Sequence, residues 1–492
     1  MDAAANTLDD WYLPFRQNTI GHDLLVETYN GRTPLVYADW TASGRLYQPI
    51  ETYLSEELGP WVGNTHTEST WTGCAMSAAY DEARSLIKHH VGADQNDVLL
   101  FCGNGMTSAI NKLQRILGLR GPEQWQQYLP DKRQKPLVCI THMEHHSNQT
   151  TWEECDVDIA IIERGEDGKP SLQHLEDILQ SEHQNRPLLI GSFTACSNVT
   201  GIETDYHRMA ALMHKYGGIC FVDFAASAPY VSINMHPANL DERLDGIFFS
   251  PHKFLGGPGS SGVLVFHSRL YRLSTPDQPG GGTVAWTNPW GGHRYYDNIE
   301  IREDGGTPGF LQAIKAALAV RLKEAMGIER IRARERHLAS LFVRELTRHP
   351  DIELLEGQQQ ERLPIFSFYS RHIHHNLLVK ILNDYFGIQV RGGCSCAGTY
   401  GHILLGVDQE RSQQITAQID AGDLSSKPGW VRVSLHPTMT EDEVLMIARA
   451  IHQVIDNIVE WSRPYRFDSA TGEFYQTCEL QILPSLSAAR LY

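Results

Sequence analysis

The feature that most restricts how this chain can fold is a series of short apolar runs between residues 98 and 266. They read "VLLFC" (98–102), "LVCIT" (137–141), "DIAIIE" (158–163), "LLIGSF" (188–193), "GICFVDF" (218–224), "GIFFS" (246–250) and "GVLVF" (262–266). Each run is apolar without alternation, the pattern of a strand covered on both faces. Helical patterns separate them, such as "DYHRMAALMHKYG" (205–217), which ends in glycine. The alternation predicts an α/β fold with a mostly parallel seven-stranded sheet flanked by helices.

At 492 residues the chain is too long for one simple core, so a second domain is expected. Pro308 is well placed to open a helix through "FLQAIKAALAVRLKEAMG", and charged helix continues to about Arg348. The strands in "LPIFSFYS", "GIQVRGG" and "WVRVSLHP" then alternate with helices, as in a smaller α+β domain. The expected division is an N-terminal segment 1–34 packing on the small domain, a large domain 35–295, a small C-terminal domain 296–465 and an extension 466–492. The Gly- and Pro-rich stretch 276–293 reads as a long loop, and 121–136 and 407–428 read as surface insertions. Nothing in the tail after Trp461 is regular enough to place.

Charge narrows the partners. With 42 Lys+Arg against 59 Asp+Glu the net charge is -17, which opposes a nucleic-acid or anionic-membrane surface. Nine cysteines, odd in number and scattered through apolar runs, read as reduced thiols and not as a disulfide framework. The start "MDAAANTLDDWYLPF" lacks the basic and apolar regions of a signal peptide, and no run reaches membrane-spanning length. The cytoplasm is the expected compartment.

The chemistry gathers at the ends of the predicted strands. Lys253 lies between "GIFFS" and a loop with glycines at 256, 257, 259 and 262. It is either a solvated lysine or a desolvated amine able to form a Schiff base. Asp223 sits inside an apolar run, where a carboxylate is costly unless paired with a cation or a protonated nitrogen. "FCGNGMTSAINKL" (101–113) places Thr107 and Ser108 at a helix start after glycines, an anion-binding arrangement. His145 and His146 follow another strand, without further ligands at a spacing that suits zinc, so no metal is expected. Strand ends of an open α/β sheet converge on one crevice. An anion turn, a buried carboxylate, an amine and an imidazole together fit pyridoxal 5'-phosphate.

Eight segments in order then carry a resemblance covering roughly residues 35 to 460. "VYADWTASG", "GNGMTSAIN", "MEHHSNQTTW", "SNVTG", "SPHKFLGGPGSSGVL", "GGTP", "VRGGCSC" and "VRVSLHP" resemble the motifs of fold-type I enzymes of the aminotransferase class V family. Within it they are most similar to the cysteine desulfurase and selenocysteine lyase group. The resemblance implies that Lys253 holds the cofactor and shuttles protons, that His145 stacks on its ring and that Asp223 pairs with the ring nitrogen. It implies that Asn198 reaches the ring hydroxyl or the substrate. Thr107, Ser250, His252 and the Met106 backbone are to hold the phosphate, with Thr307 from a second subunit of a homodimer. Arg432 is to clamp the substrate carboxylate, assisted by Arg391.

The same resemblance implies an amino-acid substrate. L-cysteine would be converted to L-alanine, with a persulfide on Cys396 that passes to a sulfur-acceptor protein. Of the two thiols, R-x-G-x-x-C spacing selects Cys396, leaving Cys394 to pack or to act as a resolving thiol. The alternative keeps the cofactor without the thiol, as a class V aminotransferase, epimerase or C–S β-lyase. A non-catalytic dimeric scaffold is a third reading, opposed by Lys253, Asp223 and Arg432 occurring together. The chain departs from the family at Ala226, where glutamine is usual beside the aspartate, with Ser227 a candidate substitute. It also departs at Ser108, in the missing proline of the E-H-H segment, and in the 407–428 insertion.

Overall fold

The computed structural model describes residues 2–65, 67–122, 124 and 134–476. Seven strands form the central sheet, one at each apolar run: β1 Asp97–Cys102, β2 Leu137–Thr141, β3 Asp158–Ile162, β4 Leu189–Thr194, β5 Ile219–Asp223, β6 Gly246–Phe249 and β7 Gly262–His267. Their order is β1-β7-β6-β5-β4-β2-β3. Strand β7 runs antiparallel to both neighbours, and the remaining pairs are parallel. Every residue of β2, β4 and β5 is buried. That is why the runs are unbroken: no face is left for alternating polar residues.

Both faces are covered by helices. Met76 and Ile87 of Trp71–His90 and Ala316 and Val320 of Phe310–Met326 share a core with Val222 and Phe249. On the other face, Ile110 and Leu113 of Met106–Ile116 and Trp152 of His146–Glu153 pack with Phe221 and Phe248.

The second sheet is antiparallel, with β8 Ile352–Leu354, β9 Ile365–Ser370, β10 Arg391–Gly393 and β11 Trp430–Ser434 in the order β8-β9-β11-β10. Leu338, Phe342, Ile381, Ile447 and Ile451 from three helices pack against it. The last of these, Glu441–Asp456, opens on a capping box between Thr440 and Glu443. Tyr12 of the N-terminal helix Asp2–Gln17 is buried in the same cluster, and Arg16 pairs with Glu443 at 2.6 Å.

Local structure differs from the sequence reading in four places. The stretch 276–293 contains a strand, Val284–Thr287, paired with His293–Tyr295; Asn288 Oδ1 accepts from the Trp290 and Gly292 amides and closes the turn. Glycine and proline content masked that hairpin. The long charged helix is two helices, Phe310–Met326 and Ile328–Leu346, parted by Gly327 at φ 81°, where glycine is favoured. The first of them packs on the large sheet's helices, because periodicity reports which face is buried and not what buries it. The tail forms a hairpin of Tyr465–Asp468 with Glu473–Gln476. The 407–428 insertion holds the helix Gln409–Asp420. Most of the 121–136 insertion and residues 477–492 of the extension lie outside the described residues. Among the described residues no helix is long and apolar enough to cross a membrane.

Candidate active site

The parallel strands β1, β2, β4, β5 and β6 all deliver their C-terminal ends to one side of the sheet, and β10 and β11 of the second sheet close over it. A cavity of about 210 Å³ lies there. Met106, Thr107, His145, Asn198, Asp223, Ser250, His252, Lys253, Arg391, Cys396 and Arg432 all reach its wall.

One end is an anion cradle. After β1, Gly103 (φ 44°) and Gly105 turn the chain into the helix Met106–Ile116. Gly105 is needed for close approach, since a Cβ there would lie 2.9 Å from Ser250 Oγ and 3.0 Å from the His252 ring. Ser250 Oγ accepts from the Met106 amide at 2.9 Å, His252 Nδ1 lies 2.9 Å from Asn104 O, and Thr107 and Ser147 hydroxyls are 2.7 Å apart. Hydroxyls, an imidazole and a helix N-terminus suit a phosphate.

The floor carries the amine and the acid. Asp223 ends β5 and is 3% exposed; burial lifts its carboxyl to about 6, against a 2.7 Å hydrogen bond that its Oδ1 accepts from the Ala225 amide. Lys253 sits in the turn after β6, and burial of its amine lowers it to about 8, with Asp223 opposing and both arginines assisting. Burial, followed by the Lys253 charge, holds His145 neutral, at about 3. Its Nδ1 accepts from the Ser147 amide at 3.1 Å, which fixes the ring at the start of the helix His146–Glu153. Glu144 beside it is buried, and accepts from Thr141, Asn148 and Thr194, so the turn after β2 is tied to β4.

The opposite end holds two guanidinium groups. Arg391 on β10 and Arg432 on β11 are cross-strand partners. Arg432 is 2% exposed; its Nη2 donates to Asp39 Oδ1 at 2.6 Å and its Nη1 to Asn198 O at 3.1 Å. Burial works against the Arg432 cation, and Asp39 offsets it.

Cys396 is presented by a strained turn. Ser395 and Cys396 have φ of 52° and 58°, a left-handed conformation that non-glycine residues keep only where surroundings enforce it. Here they do. Asn198 Nδ2 donates to Ser395 O at 2.7 Å, and the His146 amide donates to Cys396 O at 2.8 Å. The Gly398 amide donates to His146 Nε2 at 2.9 Å, and Thr399 Oγ1 to Gln149 Oε1 at 2.8 Å. Cys394 is absent from the cavity wall and packs with Tyr400 and Trp430.

Thr307 is not brought to this cavity. It is exposed, 3.3 Å from Asn64 Oδ1, and lines a neighbouring depression together with Thr107 and Lys112. Ala226 is on the wall and Ser227 is not; the Ser227 hydroxyl is buried without a partner. Sequence reasoning missed Asp39 and the clamping role of His146. Both stand inside segments that it singled out, "VYADWTASG" and "MEHHSNQTTW", but without a visible partner.

Comparison with known proteins gives one family. The model of the family described as Aminotransferase class-V matches residues 36–447. A probable cysteine desulfurase of Staphylococcus aureus (strain Mu50) is 25% identical over 379 residues, covering 76% of this chain and 86% of the relative. A probable cysteine desulfurase of Halobacterium salinarum is 25% identical over 438 residues, covering 86% and 92%. Among solved structures, an apo cysteine desulfurase from Thermococcus onnurineus superposes with a TM-score of 0.69 at 22% identity, covering 86% of this chain and 95% of that one. An S-sulfonic acid form of a cysteine desulfurase from Escherichia coli also gives 0.69, at 21% identity and 90% and 98% coverage. At such identities the structural likeness concerns the fold.

Proposed function

Because the chain belongs to the aminotransferase class-V family, we propose that it is a pyridoxal 5'-phosphate enzyme that takes sulfur from L-cysteine onto Cys396 and releases L-alanine. The observation that carries this reading is the meeting of Lys253, Asp223, His145, Arg432 and Cys396 on one cavity wall. The curated relatives named cysteine desulfurase support the substrate.

The cofactor fits the residues present. The cradle at Gly105 admits a phosphate where a Cβ would obstruct it, with the Thr107 and Ser250 hydroxyls as donors, Ser250 being oriented by the Met106 amide and His252 lying beside them. Lys253 is an enclosed amine placed to attach the aldehyde, Asp223 an enclosed acid for the ring nitrogen and His145 a neutral ring to stack. Asn198 Oδ1, buried without a partner on the wall, is an unused polar atom facing the same group. When bound, the cofactor supplies an electron sink for charge developing at the substrate Cα.

The chain's own groups do the rest. Arg432 and Arg391 hold the α-carboxylate, and Lys253 Nζ, free to lose its proton near neutrality, moves the proton at Cα. Cys396 Sγ forms a bond to the substrate sulfur as the carbon–sulfur bond breaks. The products are the Cys396 persulfide and alanine, so atoms and electrons balance without an outside oxidant. A sulfur-acceptor protein then removes the persulfide sulfur. We also propose a cytoplasmic homodimer, in which Thr307 serves the partner's phosphate site.

The test uses two variants. Cys396→Ser should abolish alanine and sulfide formation from L-cysteine under reductant while keeping the visible absorbance of the bound cofactor. Lys253→Ala should lose that absorbance. Unchanged turnover in Cys396→Ser would replace the desulfurase reading by a C–S β-lyase.

A further inference from the structure

Asp39 has no part in the reaction as proposed, yet it governs the charge at the carboxylate end of the cavity. Arg391 and Arg432 stand opposite each other on adjacent strands, where like charges repel. Only one of them is answered. Asp39 Oδ1 lies 2.6 Å from Arg432 Nη2, while among the described residues no carboxylate lies within ion-pair distance of the exposed Arg391. Asp39 is not on the wall. It precedes Thr41 and Ala42, which are, and a parallel bridge to Ser434 sets its backbone. Arg432 Nε is buried without a partner, so one edge of the guanidinium remains for a ligand.

Other charges at the cavity are matched or absent. Lys253 stands with Asp223, and the half-buried His145 is neutral. Two unanswered guanidinium groups would offer two carboxylate sites, the arrangement that selects a dicarboxylic amino acid. With Asp39 present, one net positive charge remains, enough for one α-carboxylate. We propose that Asp39 is a positioning residue that sets substrate class. By neutralising and orienting Arg432 it restricts the cavity to amino acids with a single carboxylate and disfavours those with acidic side chains. The inference rests on the reading of the cavity as an amino-acid site.

The experiment titrates the cofactor-loaded protein with L-alanine and L-aspartate and reads binding from the cofactor's visible absorbance. The unaltered protein should bind aspartate no more tightly than alanine. Asp39→Asn should shift the affinity ratio about tenfold towards aspartate, the effect of releasing one charge a few ångströms from the ligand. Adding Arg391→Gln should remove that gain. If aspartate already binds tenfold tighter to the unaltered protein, the proposal is overturned without any variant, which covers a failure of Asp39→Asn to fold. A ratio unmoved in Asp39→Asn overturns it while leaving the amino-acid site intact. If neither amino acid alters the absorbance, the site reading falls and the inference with it.

Discussion

Lys253 owes its reactivity to the position of its amine. Burial disfavours the ammonium, and the nearby arginines add to that, so the group titrates at about 8 although Asp223 pulls the other way. Only the free amine captures an aldehyde. Uptake of pyridoxal phosphate by the cofactor-free protein should therefore accelerate as pH rises through about 8 and level off above it. Well below the midpoint the rate should change about tenfold per pH unit. Stopped-flow absorbance between pH 6 and 10 measures this, and a rate still climbing at the top of the range would return Lys253 to ordinary lysine behaviour. Cys396, by contrast, depends on the conformation of its turn, and that depends on a neighbouring helix.

The helix His146–Glu153 serves two parts of the cavity at once. Its N-cap His145 faces Lys253, while His146, one residue on, holds the loop after Cys396 through its backbone amide and its Nε2. Gln149, one turn further, fastens Thr399. Fastening at these points is what keeps Ser395 and Cys396 in their left-handed turn. His146→Ala removes the acceptor for the Gly398 amide, a loss of about 1 kcal/mol. Alkylation of Cys396 by iodoacetamide should then quicken roughly fivefold, with alanine production reduced and cofactor absorbance intact. His146→Gln, which keeps an acceptor, should recover part of both. Gly398→Ala should act in the same direction as His146→Ala, because its Cβ would lie 3.1 Å from His146 Nε2. Equal alkylation rates in all four proteins would remove the clamp from the account.

The dimer proposal starts from what one chain leaves uncovered. Trp290 in the 284–295 hairpin is 88% exposed and Trp71 is 85% exposed, with Trp61 and Trp286 about half exposed. Large exposed aromatic surface is typical of an interface. The Gly306 amide donates to Gly281 O, so the segment leading into the hairpin adjoins Thr307, which is absent from its own chain's cavity wall. Mixing Lys253→Ala chains with Thr307→Ala chains should restore part of the activity, since a hybrid dimer would contain one site with both residues. Verified heterodimers without recovery would confine Thr307 to its own chain.

The sheet strands were legible in the sequence because strands buried on both faces are mostly apolar without alternation, and even the half-exposed edge strand β3 keeps an apolar run. Asp223 stood out for a related reason: a charge embedded in such a run is conspicuous against its cost, whereas Lys253 stood out by its place between a strand and a glycine turn. Cys396 was singled out by the resemblance of "VRGGCSC" to a family motif, and the structure puts it on the cavity wall while Cys394 is not there. The hairpin at 284–295 was hidden because turn-forming residues and a loop share one composition. The placement of helix Phe310–Met326 on the large sheet was hidden because an apolar stripe does not name its partner. Asp39 illustrates the limit most sharply. It lies 393 positions from Arg432, and an ion pair or hydrogen bond depends on two side chains meeting within about 3 Å. Local patterning determined which runs are buried in the central sheet. Only the tertiary structure decided which charges are answered, because that depends on which distant strands lie side by side.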